Sequence, residues 1–145
     1  MRIKIATEVQ AELDQVKSRF NEDLFLSLNP PFPPVKLVQF GGCKTGDVVE
    51  LELNFILFKQ KWISKIVEDY ESKYQWYFID MGTKLPFFLK SWKHVHDVRK
   101  VTEGTMIVDD ITFSTGTLLT DMLMFPLLYF QFLYRKPVYK KWFKE

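Results

Sequence analysis

The chain of 145 residues has the length of one ordinary domain, and we expect a single domain over residues 1–145. Its 47% hydrophobic residues, 26% charged residues and net charge of +2 exclude a disordered tail and a strongly basic nucleic-acid-binding domain. Aromatic residues make up 17% of the chain. This is more ring surface than a small core requires, and it suggests that the protein holds an apolar or flat molecule.

The cysteine content and the N-terminus predict a cytoplasmic protein. Cys43 is the single cysteine, so it has no disulfide partner within the chain, and we expect it to be inert. Residues 1–5 show no apolar run of signal-peptide length. The most apolar stretch, residues 118–134, is interrupted by Asp121 and Pro126. At about 1.5 Å per helical residue it is shorter than a hydrocarbon core of about 30 Å, so no transmembrane segment is expected.

The N-terminal third reads as one strand followed by two short helices. Ile3 and Ile5 alternate with charged residues and predict a strand over residues 2–7. Thr7, with Gln10 three residues later, is a candidate N-cap for a helix that extends to Phe20. A second helix over residues 21–28 is expected to end before the prolines at 30 and 31. The proline-rich segment 28–34 is then either a stiff connection or a gate over a cavity.

The middle of the chain alternates with the period of strands. Residues 47–59 place Val49, Leu51, Leu53, Phe55 and Leu57 on one face. Residues 61–70 follow as the partner of a hairpin, whose inward face is expected to carry Trp62, Ser64, Ile66 and Tyr70. Further strands are predicted over 35–40, 74–81, 86–101 and 106–114. With the N-terminal strand, these make seven.

A long helix is expected from Thr117 onward, with a kink at Pro126. It is apolar nearly all round between 122 and 130, which favours burial, although an opening lid or a membrane-contacting face is the alternative. The tail carries Arg135 and four lysines beside Tyr139, Trp142 and Phe143. It reads as a solvated helix end, with an interfacial membrane anchor as the second interpretation.

These elements predict an α+β fold in which a curved, seven-stranded antiparallel sheet wraps around a long C-terminal helix. A twisted sheet and a single helix do not touch everywhere. The space between them is either filled by large side chains or left for a ligand.

The segment from Ser91 to Asp97 contains both histidines of the chain. Strand periodicity places Trp92, His94 and His96 on one inward face. A turn that pairs Thr102 with Thr105 would set His96 opposite Ile111, His94 opposite Phe113 and Val98 opposite Asp109. Asp109 is then expected diagonal to His96, as the hydrogen-bond partner of a histidine. Burial and mutual interaction shift the pKa values of such groups, which makes them candidates for a site.

Four interpretations of His94, His96 and Asp109 are open. Inward histidines are most often structural, and the next interpretation is that they orient a polar group of a ligand. General acid–base catalysis requires a histidine that titrates near pH 7 and reaches a substrate proton. A metal site is the least favoured, because the sequence shows no further ligand cluster, and neither a metal nor a cofactor is expected. Nucleic acid is not expected as a partner, since no nucleotide- or RNA-binding motif is present.

Several fragments, in this order and spacing, resemble the ligand-binding SRPBCC proteins. They are Leu28-Asn-Pro-Pro-Phe32, Lys61-Trp-Ile-Ser-Lys-Ile66, Phe78-Ile-Asp80, Pro86-Phe87, Trp92-Lys-His-Val-His96 and Asp109-Asp-Ile-Thr-Phe113. These proteins belong to the helix-grip superfamily, with START domains, polyketide cyclases and the birch-pollen allergen. The chain departs from the pattern at Leu85, where a glycine is usual, and in two extra residues between Pro86 and Trp92.

The resemblance implies an internal cavity that accepts a small hydrophobic molecule such as a lipid, sterol, polyketide or aromatic compound, for binding, transport or sequestration. It does not imply one reaction, since the fold alone decides none. The alternative is a cyclase, dehydratase or hydrolase that uses His94 or His96 as general acid or base, with Asp109 as partner. The expected ligand contacts are the polar Trp92, His94, His96 and Asp109 and the apolar Trp62, Phe55, Phe113, Met122 and Tyr129.

Overall fold

The computed structural model describes residues 1–144, which form seven strands and four helices. The strands are β1 (Arg2–Val9), β2 (Val35–Phe40), β3 (Val48–Asn54), β4 (Lys59–Glu71), β5 (Gln75–Lys84), β6 (Ser91–Lys100) and β7 (Thr105–Ser114). The helices are α1 (Leu13–Ser18), α2 (Glu22–Ser27), α3 (Leu118–Leu133) and α4 (Arg135–Trp142).

All seven strands form one antiparallel sheet in the order β1-β7-β6-β5-β4-β3-β2. The first strand therefore pairs with the last, and β1 and β2 are the two edges. Bulges in the β2–β3 and β4–β5 pairs bend the strands and increase their twist. The predicted fold class, a curved sheet with a long C-terminal helix and short helices, is confirmed.

Two hydrophobic clusters hold the helices on the sheet. The first joins α1, α2 and α4 to the middle strands, with Leu24, Tyr139 and Phe143 almost fully buried. The second joins α3 to β1, β6 and β7, with Trp92 and Phe132 at its centre. The aromatic tail of the chain thus belongs to the core, and the prediction of a solvated helix end is wrong for Tyr139 and Phe143.

The first strand is longer and the first helix shorter than the sequence predicts. Thr7 is not an N-cap: it continues β1, which runs to Val9 because β7 supplies hydrogen-bond partners along that length. The helix begins at Leu13 instead, and Glu12 and Gln15 form the capping box. The second helix agrees with the prediction, with Asn21 as its N-cap.

The β3–β4 hairpin turns earlier than expected. β3 ends at Asn54, whose side chain accepts a hydrogen bond from the Ile56 amide, and Ile56 has a positive φ of 76°. Leu57 is consequently 91% exposed rather than inward. Farther along β4, a bulge after Ile66 reverses the alternation, so Tyr70 is exposed as well. Trp62, Ser64 and Ile66 keep their expected inward face.

The strand predicted over 86–101 is in fact a loop followed by β6. The Leu89 amide donates to the Pro86 carbonyl oxygen in a turn, and regular pairing begins only at Ser91. The additional residues after Pro86 lie in this loop. The β6–β7 register also differs from the prediction, because the turn pairs Lys100 with Thr105. The shift is two residues, so the same side chains still face inward.

The C-terminal helix begins as predicted, since the Thr117 side chain accepts from the Thr120 amide. It continues through Pro126 and is interrupted at Tyr134, where α4 follows. Pro137 lacks the N–H that would bond the Leu133 carbonyl, which accounts for an interruption just before it. Contrary to the expected burial, several apolar residues of α3 are exposed: Leu118, Leu119, Met122, Leu123, Leu127 and Phe130. Within residues 1–144, no helix combines the length and the apolar character needed to cross a membrane.

The β6–β7 turn requires glycine at position 104. Gly104 has a φ of +94°, and a Cβ there would overlap the carbonyl oxygen of Val9. We expect Gly104→Ala to lower the free energy of unfolding by about 2–5 kcal/mol, from left-handed strain plus overlap. The measurement is urea denaturation.

The matched control is Gly46→Ala, because Gly46 has a φ of +96° and open space around it. Gly46→Ala should lower the free energy of unfolding only by the left-handed backbone strain, about 1–2 kcal/mol. Equal losses in the two variants would contradict the steric argument.

Candidate functional site

A cluster of polar side chains lies on the inward face of three adjacent strands. β5 contributes Asp80, β6 contributes His94 and His96, and β7 contributes Asp109. All four are at the positions that strand alternation directs inward, among apolar neighbours such as Phe78. His94, His96 and Asp109 are almost fully buried, so these polar groups must find partners within the protein.

The histidines and carboxylates pair crosswise. Asp80 lies opposite His94 in the β5–β6 register, and Asp109 lies opposite His96 in the β6–β7 register. Each histidine nevertheless bonds the diagonal carboxylate: His94 Nε2 is 2.8 Å from Asp109 Oδ1, and His96 Nε2 is 2.6 Å from Asp80 Oδ2. A carboxylate only accepts, so both Nε2 atoms carry the donated proton. Asp109 is therefore the partner of a histidine, as expected, but that histidine is His94. The partner of His96 is Asp80, which the sequence analysis did not name as a site residue.

The two imidazole rings stack on each other, with their centroids 3.5 Å apart. Phe78 stacks on the other face of His96 at 4.2 Å. Burial, together with the neighbouring His94, lowers the pKa of His96 to about 4. His96 is therefore neutral at pH 7, and its Nδ1 is a buried nitrogen without a partner among the described residues.

Arg135, at the start of α4, completes the cluster. Its Nη1 donates to Asp109 Oδ1 at 3.1 Å and to the Tyr139 hydroxyl at 3.4 Å, and its guanidinium lies 4.4 Å from the centre of the Phe132 ring. Burial opposes ionisation of Asp109, but the charge of Arg135 and the hydrogen bond from His94 hold the pKa of Asp109 well below its usual range. The expectation that Arg135 belongs to a solvated tail is wrong, since its side chain is only 11% exposed.

Asp80 is the least enclosed carboxylate of the cluster. Its side chain is 13% exposed, against 2% for Asp109. Burial raises the pKa of Asp80, but the hydrogen bond from His96, the neighbouring His94 and, less strongly, the charge of Arg135 together outweigh this and leave the pKa lowered. Asp80, His94 and His96 each offer one potential metal-ligand atom, and these atoms lie within 4.8 Å of one another.

A cavity of about 880 Å³ opens between the concave face of the sheet and the segment around α3. Asp80, His94, His96 and Arg135 form a polar area on its wall, and most of the remaining wall is apolar. The proline-rich segment borders it through Asn29, Pro30, Phe32 and Pro33. Cys43, which the sequence analysis set aside, also lines the cavity.

The structure brings some of the expected ligand contacts together and places others elsewhere. Trp92, His94, His96, Trp62 and Phe55 line the cavity, and Trp62 packs edge-to-face on Trp92 at 4.7 Å. The other four are not on its wall: Asp109 lies behind His94, Phe113 is in the core, Tyr129 packs at the edge of the second hydrophobic cluster, and Met122 is 58% exposed.

Two residues of the polar cluster were missed as site residues. Asp80 had a signal, because it follows Trp76 and Phe78 at the strand period and so is a carboxylate on an apolar face. Arg135 had none, since its burial depends on where α3 ends and on how α4 docks.

Removing Arg135 is expected to destabilise the protein because it leaves the buried Asp109 charge without its guanidinium partner. We expect Arg135→Ala to lower the free energy of unfolding by about 3–5 kcal/mol in urea denaturation. Arg99→Ala is the matched control: Arg99 also pairs with an aspartate, Asp97, but its side chain is 59% exposed. That variant should lose about 0–1 kcal/mol. Similar losses would show that the Asp109 pair is not the stabilising feature.

Cys43 is expected to react slowly in the folded protein. Burial, together with the carboxylates of Asp47 and Asp80, raises the pKa of the Cys43 thiol to about 12, and only the thiolate is a nucleophile. At pH 8, iodoacetamide should modify Cys43 at least about tenfold more slowly in the folded protein than in denaturant. The time course is followed by intact mass spectrometry, and equal rates would contradict this protonation state.

No protein-family model matches the chain, and no curated protein sequence matches it. Solved structures do. An uncharacterized protein from Bacillus thuringiensis superposes with a TM-score of 0.69 at 18% identity, over 100% of both chains. The Zhui aromatase/cyclase from Streptomyces sp. R1128 gives 0.66 at 12% identity, over 95% of this chain and 90% of that one. Ara h 8.0201 gives 0.57 at 13% identity, over 94% and 95%.

These similarities agree with the architecture described above: an antiparallel sheet that closes β1 against β7 and curves around a C-terminal helix. At such low sequence identity they establish the fold and not the activity. The chain has the helix-grip fold, which it shares with the Zhui aromatase/cyclase and with Ara h 8.0201.

Proposed function

We propose that the protein binds a small hydrophobic molecule in its interior, for transport or sequestration. The observation that carries this proposal is the cavity of about 880 Å³, whose wall is mostly apolar and carries its charged groups in one place, at Asp80 and Arg135. Sites for small molecules typically measure about 300–1,000 Å³ and combine an apolar wall with a few polar groups. The cavity therefore has the size and the chemistry of a ligand site, and too large a volume for a packing defect in a core.

The two parts of the wall have different roles in this proposal. Apolar residues such as Leu51, Trp62 and Phe55 supply the affinity, at about 25 cal/mol per Å² of apolar surface removed from water. Asp80 and Arg135 supply direction, since a polar end of the ligand gains a charged partner only at their end of the cavity. The ligand is thus expected to be mostly apolar with one polar end.

The mouth of the cavity is compatible with uptake of such a molecule. Phe32, Phe87, Leu127 and Phe130 all line the cavity and are each more than half exposed to solvent. Large exposed apolar patches are rare on soluble monomers, and they often mark ligand-binding grooves. They come from the proline-rich segment, the β5–β6 loop and α3.

Acid–base catalysis by the histidines is the rival function, and the geometry favours it less. A catalytic base works best when its pKa lies near the working pH, whereas burial lowers the pKa of His96 to about 4. His94 Nε2 is engaged by Asp109, which leaves only its Nδ1 for a substrate. The activity of the aromatase/cyclase belongs to that protein, and a shared fold does not transfer it to this chain.

The proposal is tested by filling the cavity. Leu51 lines the cavity, so Leu51→Trp should reduce the affinity for a fluorescent apolar probe such as 1-anilinonaphthalene by at least about tenfold, since the added ring excludes the probe. Leu119→Trp is the matched control, because Leu119 is 69% exposed and lies outside the cavity wall. The measurement is a fluorescence titration.

Unchanged probe affinity in folded Leu51→Trp would overturn the proposal. A measurement on the unmodified protein supplements the variants: solvent extraction or native mass spectrometry of freshly purified protein. A co-purified apolar molecule in a one-to-one complex, displaced by the probe, is the expected result.

A further inference from the structure

We propose that Asp80, His94 and His96 form a binding site for one divalent transition-metal ion at the polar end of the cavity. The site would use two imidazole nitrogens and one carboxylate, and it would leave coordination positions open toward the cavity. The geometry of the polar cluster supports this metal site whatever hydrophobic ligand the cavity holds.

The arrangement of His94 is the first observation. Asp109 accepts the Nε2–H of His94, so a neutral ring presents the lone pair of Nδ1 on its other side. That Nδ1 faces Asp80 Oδ2 at 3.7 Å, which is too long for a hydrogen bond. Two acceptors that face each other repel unless a cation lies between them.

The separation of these two atoms suits a shared metal ion. Metal–nitrogen and metal–oxygen distances of about 2.0–2.2 Å place two ligands of a tetrahedral ion about 3.3–3.6 Å apart. The 3.7 Å between His94 Nδ1 and Asp80 Oδ2 is close to that spacing. His96 Nε2 lies 2.6 Å from the same carboxylate oxygen, and the three ligand atoms all lie within 4.8 Å of one another. To reach the tetrahedral spacing, His96 Nε2 moves away from the Asp80 oxygen by about 0.7–1 Å.

Binding an ion at His96 Nε2 requires the proton on that nitrogen to move. In the metal-free arrangement, Nε2 carries the proton that it donates to Asp80. An ion at Nε2 displaces that proton to Nδ1, which is buried and has no partner among the described residues. The ring stays neutral, and neutral imidazole is the form that binds metals.

The surroundings resemble those of protein metal sites. A metal-bound histidine usually donates its other ring N–H to a carboxylate, and Asp109 supplies this for His94. Arg135 compensates the charge of Asp109 at 3.1 Å, so the carboxylate that remains for an ion is Asp80. Because all three ligand residues line the cavity, a further oxygen ligand can approach from that side. Two imidazoles and one carboxylate suit Zn²⁺, Fe²⁺ or Co²⁺.

The composition of the chain makes the test specific. His94 and His96 are its only two histidines, so any imidazole signal reports on this site. The experiment uses chelator-treated protein without a histidine tag and Zn²⁺ as the probe. Isothermal titration calorimetry should show one equivalent bound per chain. Asp80→Asn keeps the shape of the side chain and an oxygen acceptor, and it should weaken Zn²⁺ binding at least about 100-fold.

Asp97→Asn is the matched control. Asp97 lies on the same strand, is also buried and carries the same substitution, but it points to the other face of the sheet, where it bonds Gln75 and Arg99. Its Zn²⁺ affinity should equal that of the unmodified chain. Cys43→Ser should also bind normally, which excludes the thiol that lines the same cavity as a ligand. Equal affinities in Asp80→Asn and Asp97→Asn would overturn the proposal.

A second measurement requires no variant and so does not depend on folding of Asp80→Asn. Ring ¹⁵N chemical shifts of the two histidines are recorded before and after Zn²⁺ addition. Zn²⁺ should shift His94 Nδ1 and His96 Nε2, with His94 Nε2 still protonated. Unperturbed ring nitrogens would overturn the proposal, as would a His94 ring that carries protons on both nitrogens and keeps them in the presence of Zn²⁺.

Discussion

The buried charge pair between Asp109 and Arg135 is the constraint on which the site depends. It joins β7 to the first residue of α4, just after the end of α3. Because Asp109 also accepts from His94, the position of a helix end determines the orientation of an imidazole on the neighbouring strand. Burying an isolated charge at this depth would cost several kcal/mol of desolvation free energy, so Asp109, Arg135 and His94 each depend on the others as partners.

The cavity exists because the sheet and α3 meet along only one side. The second hydrophobic cluster, with Trp92 and Phe132, holds α3 against β1, β6 and β7. The first cluster holds α1, α2 and α4 against the middle strands. Residues of both clusters border the volume between them. The molecule thus has packed regions on either side of the cavity and can leave it unfilled while remaining folded.

Most of the correct sequence predictions follow from the two-residue period of β-strands. Trp92, His94 and His96 occupy every second position of β6, so they share one face whatever the exact pairing. The expected pairing was off by two residues, yet the inward set did not change, because a shift by an even number preserves the face. A bulge is different: after Ile66 it reverses the face, and Tyr70 lies outside as a result. A bulge depends on how the partner strand pairs, and the local alternation of residues carries no information about that pairing.

The sequence by itself determined the fold class, the number of strands and the face on which the histidines lie, because these follow from local periodicity. Tertiary structure alone decided which carboxylate bonds which histidine, that Arg135 is buried, and that Met122 is exposed while Leu51 lines the cavity. These facts depend on the packing of segments far apart in the chain, such as Asp80, Asp109 and Arg135. The contacts between such segments are set by sheet register and helix docking, and neither has a local signature.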